Sequence, residues 1–182
     1  MVFLNLCGLR NSPPDHWQSL WEQRFPGLFR RVPQQDWAAP DNTAWTAALD
    51  KSLQSIPQKE DIVLIGHSVG CATIVNWVRD YGNCTIRAAL LVAPSDVERS
   101  DSPTYITGFS PLQLAPLPFP SLVVASSDDH VVRPERARFF ADTWGSGFQL
   151  IEAAGHLEAS AGYGRWPEGL QLLSQISGTD LA

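Results

Sequence analysis

Cysteine is scarce in this sequence, with three residues among 182. Cys7, Cys71 and Cys84 are an odd set, and their spacing matches no metal-binding pattern. The set argues against a disulfide framework, and reduced thiols in a cytoplasmic protein are the simplest prediction. We expect neither a metal ion nor another cofactor.

Positive charge is also in short supply. Thirteen Lys and Arg stand against 19 Asp and Glu, which gives a formal net charge of -6. The basic residues are scattered along the chain rather than clustered. Because phosphate backbones and anionic lipid surfaces bind concentrated positive charge, neither nucleic acid nor a membrane is expected as a partner.

Long hydrophobic runs are missing as well. The opening stretch MVFLNLCGLR has no basic segment before its apolar residues, and its apolar run is too short for a signal peptide or a membrane span. The sequence contains no internal repeat, and its apolar fraction of 44% is ordinary for a folded protein. We therefore expect a single soluble, cytoplasmic domain over residues 1–182.

Short apolar runs alternate with amphipathic segments along the chain. Continuous runs rich in Val, Ile and Leu predict strands buried on both faces at 2–7, 61–66, 88–93 and 121–126, with weaker edge candidates at 29–32 and 148–153. Helical periodicity predicts helices over 14–25, 42–53 and 134–144, the second capped by Asp41 or Asn42. This alternation predicts an α/β fold, a doubly wound and mostly parallel sheet of about six strands with helices on both faces.

One serine stands between two glycines in LIGHSVGCATIVNWV, residues 64–78. The apolar run before Ser68 and the helix-like stretch after it predict a sharp strand-to-helix turn that exposes the hydroxyl above the sheet. Gly66 and Gly70 are expected there because side chains would collide with the neighbouring strand and helix. A serine with a glycine two positions away on each side also arises by chance. The hypothesis that Ser68 is a nucleophile therefore depends on finding a base and an acid to accompany it.

A serine hydroxyl is a poor nucleophile unless a base removes its proton and an acid orients the base. In folds of this type the acid and then the histidine follow the serine, each after a later strand. Asp128 and Asp129 follow one predicted strand, and His156 follows the last one. In folds of this type, an apolar residue two or three positions after the aspartate usually anchors its loop. Val131 and Val132 occupy those positions relative to Asp129, so Asp129 is favoured.

Alternatives to these partners stay open. Asp96 also follows a central strand and is the second candidate for the acid. His67 neighbours the serine in sequence, but its side chain must leave the turn in another direction. His16 and His130 are each expected at the solvated surface.

The negative oxygen of a tetrahedral intermediate needs two preorganised N–H donors. The backbone N–H of Val69 is one candidate, since it begins the helix after the serine. The backbone N–H of Leu9, in the turn after the first strand, is the other.

The predicted pocket has no lid domain. Residues 97–120 are proline-rich and aperiodic, and an irregular connection of this length is often functional. We expect a shallow cleft bounded by residues 7–12, 97–120 and 162–167, with Phe109 and Trp166 as its apolar walls.

Several stretches together resemble the small α/β-hydrolases related to retinoblastoma-binding protein nine and bacterial YdeN. They include CGLRNSPPDHWQSLWEQRFPG, IGHSVGCATIVNW, LPFPSLVVASSDDHVVRPERARFFADTWG and AAGHLEASAGYGRWPEG. The resemblance implies a minimal, lidless hydrolase with a triad of Ser68, Asp129 and His156, acting as an esterase or amidase on small substrates. The sequence departs from the family pattern at two places. Many relatives have His-Gly or Pro-Gly where this chain has Cys7-Gly8, and many have Asn-Asp-Pro where it has Asp128-Asp129-His130.

Two functions are compatible with these features. The first is a serine hydrolase that cleaves small ester or amide substrates through an acyl-enzyme intermediate. The alternative is a protein-binding module on a hydrolase scaffold, with a protein partner and little or no turnover, because a fold alone does not guarantee chemistry.

Overall fold

Six parallel strands form one sheet in the computed structural model, which describes residues 1–82 and 85–181. In chain order the strands are β1 (Val2–Leu6), β2 (Phe29–Arg31), β3 (Ile62–His67), β4 (Ala88–Val92), β5 (Ser121–Ser126) and β6 (Gly147–Ile151). Across the sheet they follow the order β2-β1-β3-β4-β5-β6. The predicted α/β architecture is confirmed, and the strand limits differ from the predicted ones by no more than two residues.

Five α-helices lie within the described ranges. They are α1 (Trp17–Arg24), α2 (Asn42–Gln54), α3 (Val69–Asp80), α4 (Pro134–Trp144) and α5 (Pro167–Ser177). Helices α2, α3 and α4 cover one face of the sheet, and α1 and α5 cover the other. None of these helices is long and apolar enough to cross a membrane. Helix α5 lies outside the predicted helices, although Pro167 at its first position and the spacing of three between Leu170 and Leu173 are helix signals.

Side-chain caps fix where the first two helices begin. The ring Nδ1 of His16 accepts a hydrogen bond from the backbone N–H of Gln18 at 3.2 Å. Helix α1 therefore begins at Trp17 and not at residue 14 as predicted. Asp41 is the cap of α2, since its Oδ1 accepts from the backbone N–H of Ala44 at 3.0 Å.

Burial on both faces explains why the central strands contain so few polar residues. All six residues of β3 are buried. Leu64 packs into the cluster with α2, α3 and α4, whereas Val63 and Ile65 pack into the cluster with α1 and α5. Each such side chain contributes about 1.5–3 kcal/mol when it is removed from water.

Parallel pairing brings the carboxyl ends of all six strands to one edge of the sheet. The turn after β1, the turn between β3 and α3, and the loops after β5 and β6 therefore meet there. Ligands of open α/β sheets bind at this edge. Residues 97–120 contain no helix or regular strand, and part of this segment reaches the same edge.

Candidate functional site

Ser68 occupies the sharp turn between β3 and α3 with a backbone φ of 55° and ψ of -123°. A positive φ in a residue with a side chain costs about 1–3 kcal/mol and persists only where the surroundings enforce it. Here the N–H of Ser68 donates to the carbonyl of Val92 at 3.0 Å, and the carbonyl of Ser68 accepts from Cys71 at 3.0 Å. These bonds hold the serine above the end of the sheet.

The two glycines around Ser68 are required by close packing. A Cβ atom on Gly66 would lie 2.9 Å from the Cα atom of Cys71 in α3. A Cβ atom on Gly70 would overlap the backbone carbonyl of Leu6 in β1. The prediction that side chains at both positions would collide with the adjacent helix and strand is confirmed.

His156 and Asp129 form a buried pair at the same edge. The ring Nδ1 of His156 lies 3.0 Å from Oδ1 and 2.9 Å from Oδ2 of Asp129. A carboxylate oxygen accepts hydrogen bonds, so the Nδ1 atom carries the ring proton and the Nε2 atom is left as an acceptor. The side chain of Asp129 is fully buried, and its Oδ1 also accepts the backbone N–H of Val131 at 2.8 Å.

The other two candidate acids have different partners. Asp128 accepts the hydroxyl of Ser126 at 2.7 Å and the backbone N–H of Gly155 at 2.8 Å. These two bonds lower the pKa of Asp128. Asp96 lies 3.3 Å from the guanidinium of Arg136. Among the three, Asp129 is therefore the acid placed against His156.

The loop that carries His156 is tied down on both sides of that residue. The backbone N–H of Ala154 donates to Ser126 Oγ at 3.0 Å, and the indole N–H of Trp17 donates to the carbonyl of Leu157 at 2.9 Å. The loop needs these ties because Ala153 and Leu157 both have a φ of 50°. The hydrogen bond from Gly155 to Asp128 belongs to the same set of restraints.

A cleft of about 280 Å³ opens at this edge of the sheet. Its lining includes Ser68, His156, Leu9 and Val69, while Asp129 lies behind His156. The remaining lining residues are Gly8, Arg10, Asn11, Pro13, His16, His67, Ser95, Arg99, Pro103, Ile106, His130, Val131 and Glu158. Seven of the predicted or alternative site residues thus line one cleft, and Asp129 adjoins it through its contact with His156.

All four histidines of the chain line this cleft. The expectation of a surface position is wrong for His16, whose side chain is buried against α1 and His67. His130 is exposed at the rim. In the part of the chain that the structure describes, no three His, Cys, Asp or Glu side chains are arranged to hold a metal ion.

The structure corrects both predicted apolar walls. Phe109 is 1% exposed and packs edge-on against Trp45 in the core beneath α2. Trp166 is buried between Trp17 and Trp21, on the other face of the sheet. Neither is among the residues that line the cleft within the described ranges. Because an aromatic ring in an irregular segment suits core and cleft equally well, spacing could not separate the two roles.

The predicted boundaries of the cleft are partly corrected. The turn at residues 7–12 lines it, and the segment 97–120 contributes Arg99, Pro103 and Ile106. The loop at 162–167 does not line it among the described residues, because Trp166 is packed into the core. Glu158, from the loop after His156, lines the cleft instead.

The turn after β1 approaches Ser68 closely at Gly8. A Cβ atom on Gly8 would lie only 2.8 Å from the Cβ atom of Ser68. Leu9 follows directly, and Val69 is the first residue of α3, whose first N–H groups have no partner inside the helix. The two predicted donors of an oxyanion hole therefore flank the serine, on the turn and on the helix.

Arg31 anchors the same turn from β2. Its Nη1 atom donates to Asn11 Oδ1 at 2.8 Å and to the backbone carbonyl of Ser12 at 3.1 Å. Its Nη2 atom forms an ion pair with Glu22 at 3.0 Å. The partly buried guanidinium thus holds the turn that brings Gly8 and Leu9 to the serine.

Neither described cysteine is a candidate nucleophile. Cys7 and Cys71 are buried free thiols. Burial raises the pKa of Cys7 to about 11 and raises the pKa of Cys71 further. Since the thiolate is the reactive form, both are inert at neutral pH. Cys84 lies outside the described residues.

Replacing Gly8 with alanine should disable the site without unfolding the sheet. The new methyl group would press on Ser68 and push away the turn that carries Leu9. Loss of one oxyanion donor lowers kcat by about 10²- to 10³-fold. Esterase assays should show this loss while the thermal denaturation midpoint changes little. Gly164→Ala is the control for an added methyl group, since a Cβ atom there would have only ordinary contacts, the nearest at 3.5 Å from the backbone oxygen of Asp15. Activity at the original level in Gly8→Ala would contradict the assignment.

Comparisons with known proteins agree with this geometry. Residues 3–175 match the serine hydrolase family. A YdeN-like hydrolase from Pectobacterium atrosepticum is 33% identical, with 97% of this chain and 90% of that chain covered and a TM-score of 0.85. The YdeN protein of Bacillus subtilis is 17% identical, with 98% of each chain covered and a TM-score of 0.77. The carboxylesterase CesB of Bacillus subtilis is 14% identical, with 98% of this chain and 84% of that chain covered and a TM-score of 0.65.

The comparison with curated proteins returns no match. The family match nevertheless covers nearly the whole chain, and the resemblance to YdeN-related hydrolases proposed from the sequence is confirmed. The chain, with its serine on a strained turn and its buried Asp–His pair, belongs to the serine hydrolase family.

Proposed function

We propose that this hydrolase cleaves small esters or amides through an acyl-enzyme formed on Ser68. The observation that carries the proposal is the bond between His156 Nδ1 and Asp129, because His156 lines the same cleft as Ser68. The order of the three residues along the chain is the order in which this fold supplies nucleophile, acid and base. Asp129 would fix the ring tautomer and stabilise the imidazolium.

The proposed reaction has two halves. In the first, Ser68 Oγ attacks the carbonyl carbon while His156 Nε2 accepts the hydroxyl proton. The backbone N–H groups of Leu9 and Val69 would receive the negative oxygen of the tetrahedral intermediate. As the carbon–oxygen or carbon–nitrogen bond breaks, the imidazolium returns its proton to the leaving alcohol or amine.

The second half removes the acyl group. Water attacks the acyl carbonyl as His156 accepts one of its protons, and the acid product leaves when the proton passes back to Ser68. The same residues thus serve both halves, and no other group is required to balance the protons.

The dimensions of the cleft favour small substrates. Its volume of about 280 Å³ lies just below the usual range for ligand pockets, about 300–1,000 Å³. Its lining mixes apolar side chains such as Ile106 with the cations Arg10 and Arg99 and the anion Glu158. A long acyl chain would have to leave the cleft and lie on a polar surface, where it gains little from burial.

A series of p-nitrophenyl esters should therefore show a preference for short acyl chains. We expect kcat/KM to be highest for two to four carbons and to fall for longer chains, because methylenes that extend beyond the cleft gain little from burial. Ser68→Ala, measured on the same series, gives the background rate. A wild-type maximum beyond about twelve carbons would contradict the assigned pocket.

A further inference from the structure

The proposed reaction uses only one of the four histidines that surround the cleft. The ring centres of His16 and His67 are 4.9 Å apart, and those of His67 and His156 are 4.8 Å apart. His130 also neighbours His156, with ring centres 5.6 Å apart. His16 and His67 thus form a row that connects α1 to the proposed base, and the reaction assigns them no role.

The hydrogen-bond partner of His16 fixes its ring proton on Nε2. Its Nδ1 atom accepts the backbone N–H of Gln18, and a backbone N–H can only donate. Burial lowers the pKa of His16 to about 4, so the ring is neutral at pH 7 and has a single proton. That proton is on Nε2, a buried atom without a hydrogen-bond partner among the described residues. A buried donor left without an acceptor requires an explanation.

The partner of His67 fixes its proton in the complementary way. Its Nε2 atom lies 2.9 Å from the backbone carbonyl oxygen of His156, which can only accept. Burial also holds the pKa of His67 well below its ordinary value, so this ring is neutral too. With its one proton on Nε2, the ring presents a bare lone pair on Nδ1.

His16 therefore presents a donor and His67 an acceptor, on adjacent rings. Two imidazoles joined by one hydrogen bond between ring nitrogens have centres about 5 Å apart, because the bond itself spans about 2.9 Å. The observed separation of 4.9 Å is of this size.

We propose that His16 Nε2–H donates to His67 Nδ1, and that the resulting relay makes both histidines positioning residues for the base. The relay runs from the backbone N–H of Gln18 through His16 and His67 to the backbone carbonyl of His156. The hydrogen bond between His16 and His67 does not depend on catalysis, whereas their role in positioning the base rests on the proposed function.

The relay controls where the base sits. Asp129 holds the ring of His156 at Nδ1, and His67 holds the backbone of the same residue at its carbonyl. Both restraints are needed because the next residue, Leu157, has a φ of 50° in a loop without regular structure. Weakening His67 would let the ring of His156 shift relative to Ser68, which slows proton transfer more than it weakens substrate binding.

Nuclear magnetic resonance tests the bond directly. In a sample with ¹⁵N-labelled histidine at pH 7, His16 and His67 should both be Nε2–H tautomers. A resolvable scalar coupling should connect His16 Nε2 with His67 Nδ1 across the hydrogen bond. Absence of that coupling, or an Nδ1–H tautomer at either residue, overturns the relay whether or not the protein hydrolyses any ester.

Two substitutions of His16 distinguish the effect of its bond to His67 from the effect of its N-cap bond to Gln18. In His16→Asn the side-chain oxygen can still accept the N–H of Gln18, because asparagine is a good N-cap, but the side chain is too short to reach His67. We expect kcat on p-nitrophenyl acetate to fall by about tenfold with a smaller change in KM. His16→Gln retains an N–H donor near the position of Nε2 and should recover most of kcat even though the cap is weakened.

Ile62→Val is the stability control, since it trims the core at the far end of β3 from the cleft. It should lower the denaturation midpoint and leave kcat unchanged. Equal kcat values for His16→Asn and wild type overturn the positioning role, as does a glutamine variant no more active than the asparagine variant. A wild-type protein inactive on every ester overturns the proposed function and, with it, the positioning role, while the coupling measurement still decides the bond.

Discussion

Replacing His156 with alanine should lower kcat by about 10⁶-fold, because a serine hydroxyl without its base is almost unreactive. The side chain of His156 is buried between Asp129 and the cleft. Its Nδ1 atom is bonded to Asp129, which leaves the Nε2 atom to accept the proton of Ser68. Substrate binding does not depend on proton transfer, so KM should change far less. Steady-state kinetics on p-nitrophenyl acetate measure both constants.

His130→Ala is the matched control for this substitution. His130 is exposed and lies next to His156, but its ring has no place in the proposed proton transfer. We expect its kcat to stay within about tenfold of wild type, the scale of a nearby exposed group. Circular dichroism should show both variants folded. Appreciable turnover in folded His156→Ala would remove this histidine from the mechanism.

Asp129→Asn should lower kcat by about 10⁴-fold with the fold intact. The amide is nearly the same size as the carboxylate, so packing and the bond from Val131 can persist. An amide cannot stabilise the imidazolium, however, and its NH₂ group favours the wrong tautomer of His156. The loss should therefore appear in kcat, at the chemical step.

The neighbouring Asp128→Asn provides a matched control of the same chemistry. Asp128 Oδ1 accepts hydrogen bonds from Ser126 and Gly155, and an asparagine oxygen can accept both. We expect kcat within about tenfold of wild type. If Asp128→Asn were the crippled variant, the assignment of the acid would be wrong by one residue. If neither variant lost activity, Asp96 would become the acid to test.

Much of the fold could be predicted because parallel strands buried on both faces leave a plain signal. The run at 61–66 has no polar alternation, and the structure places β3 at Ile62–His67 in the centre of the sheet. Helix limits were harder to predict because they depend on single caps. His16 ends the turn before α1, and a histidine is an unusual cap that composition does not suggest.

The site was predictable where strand ends dictate position. Ser68 and His156 follow β3 and β6, and parallel pairing brings those ends to one edge. The structure adds the detail that distinguishes Asp129 from Asp128, since adjacent side chains on a turn point to different partners. The catalytic roles of these residues stay a prediction.

The residues that form the walls of the cleft could not be predicted from the sequence, for a physical reason. Loops 97–120 and 162–167 have no periodicity, so nothing in their spacing says which side chains face inward. Trp166 is buried because Trp17 and Trp21 on α1 surround it, a contact between residues distant in sequence. The sequence indicates only that the side chain of His67 leaves the turn in a different direction from Ser68, whereas the structure places its ring centre 4.8 Å from that of His156.

Covalent labelling with a fluorophosphonate tests the central claim most directly. The probe reacts with an activated serine hydroxyl, and mass spectrometry of the digested protein identifies the modified residue. We expect one modification, on Ser68, and none in a folded Ser68→Ala variant. The contrary result would be a wild-type protein that stays unlabelled where a known serine hydrolase reacts, or a Ser68→Ala variant that labels as strongly as wild type.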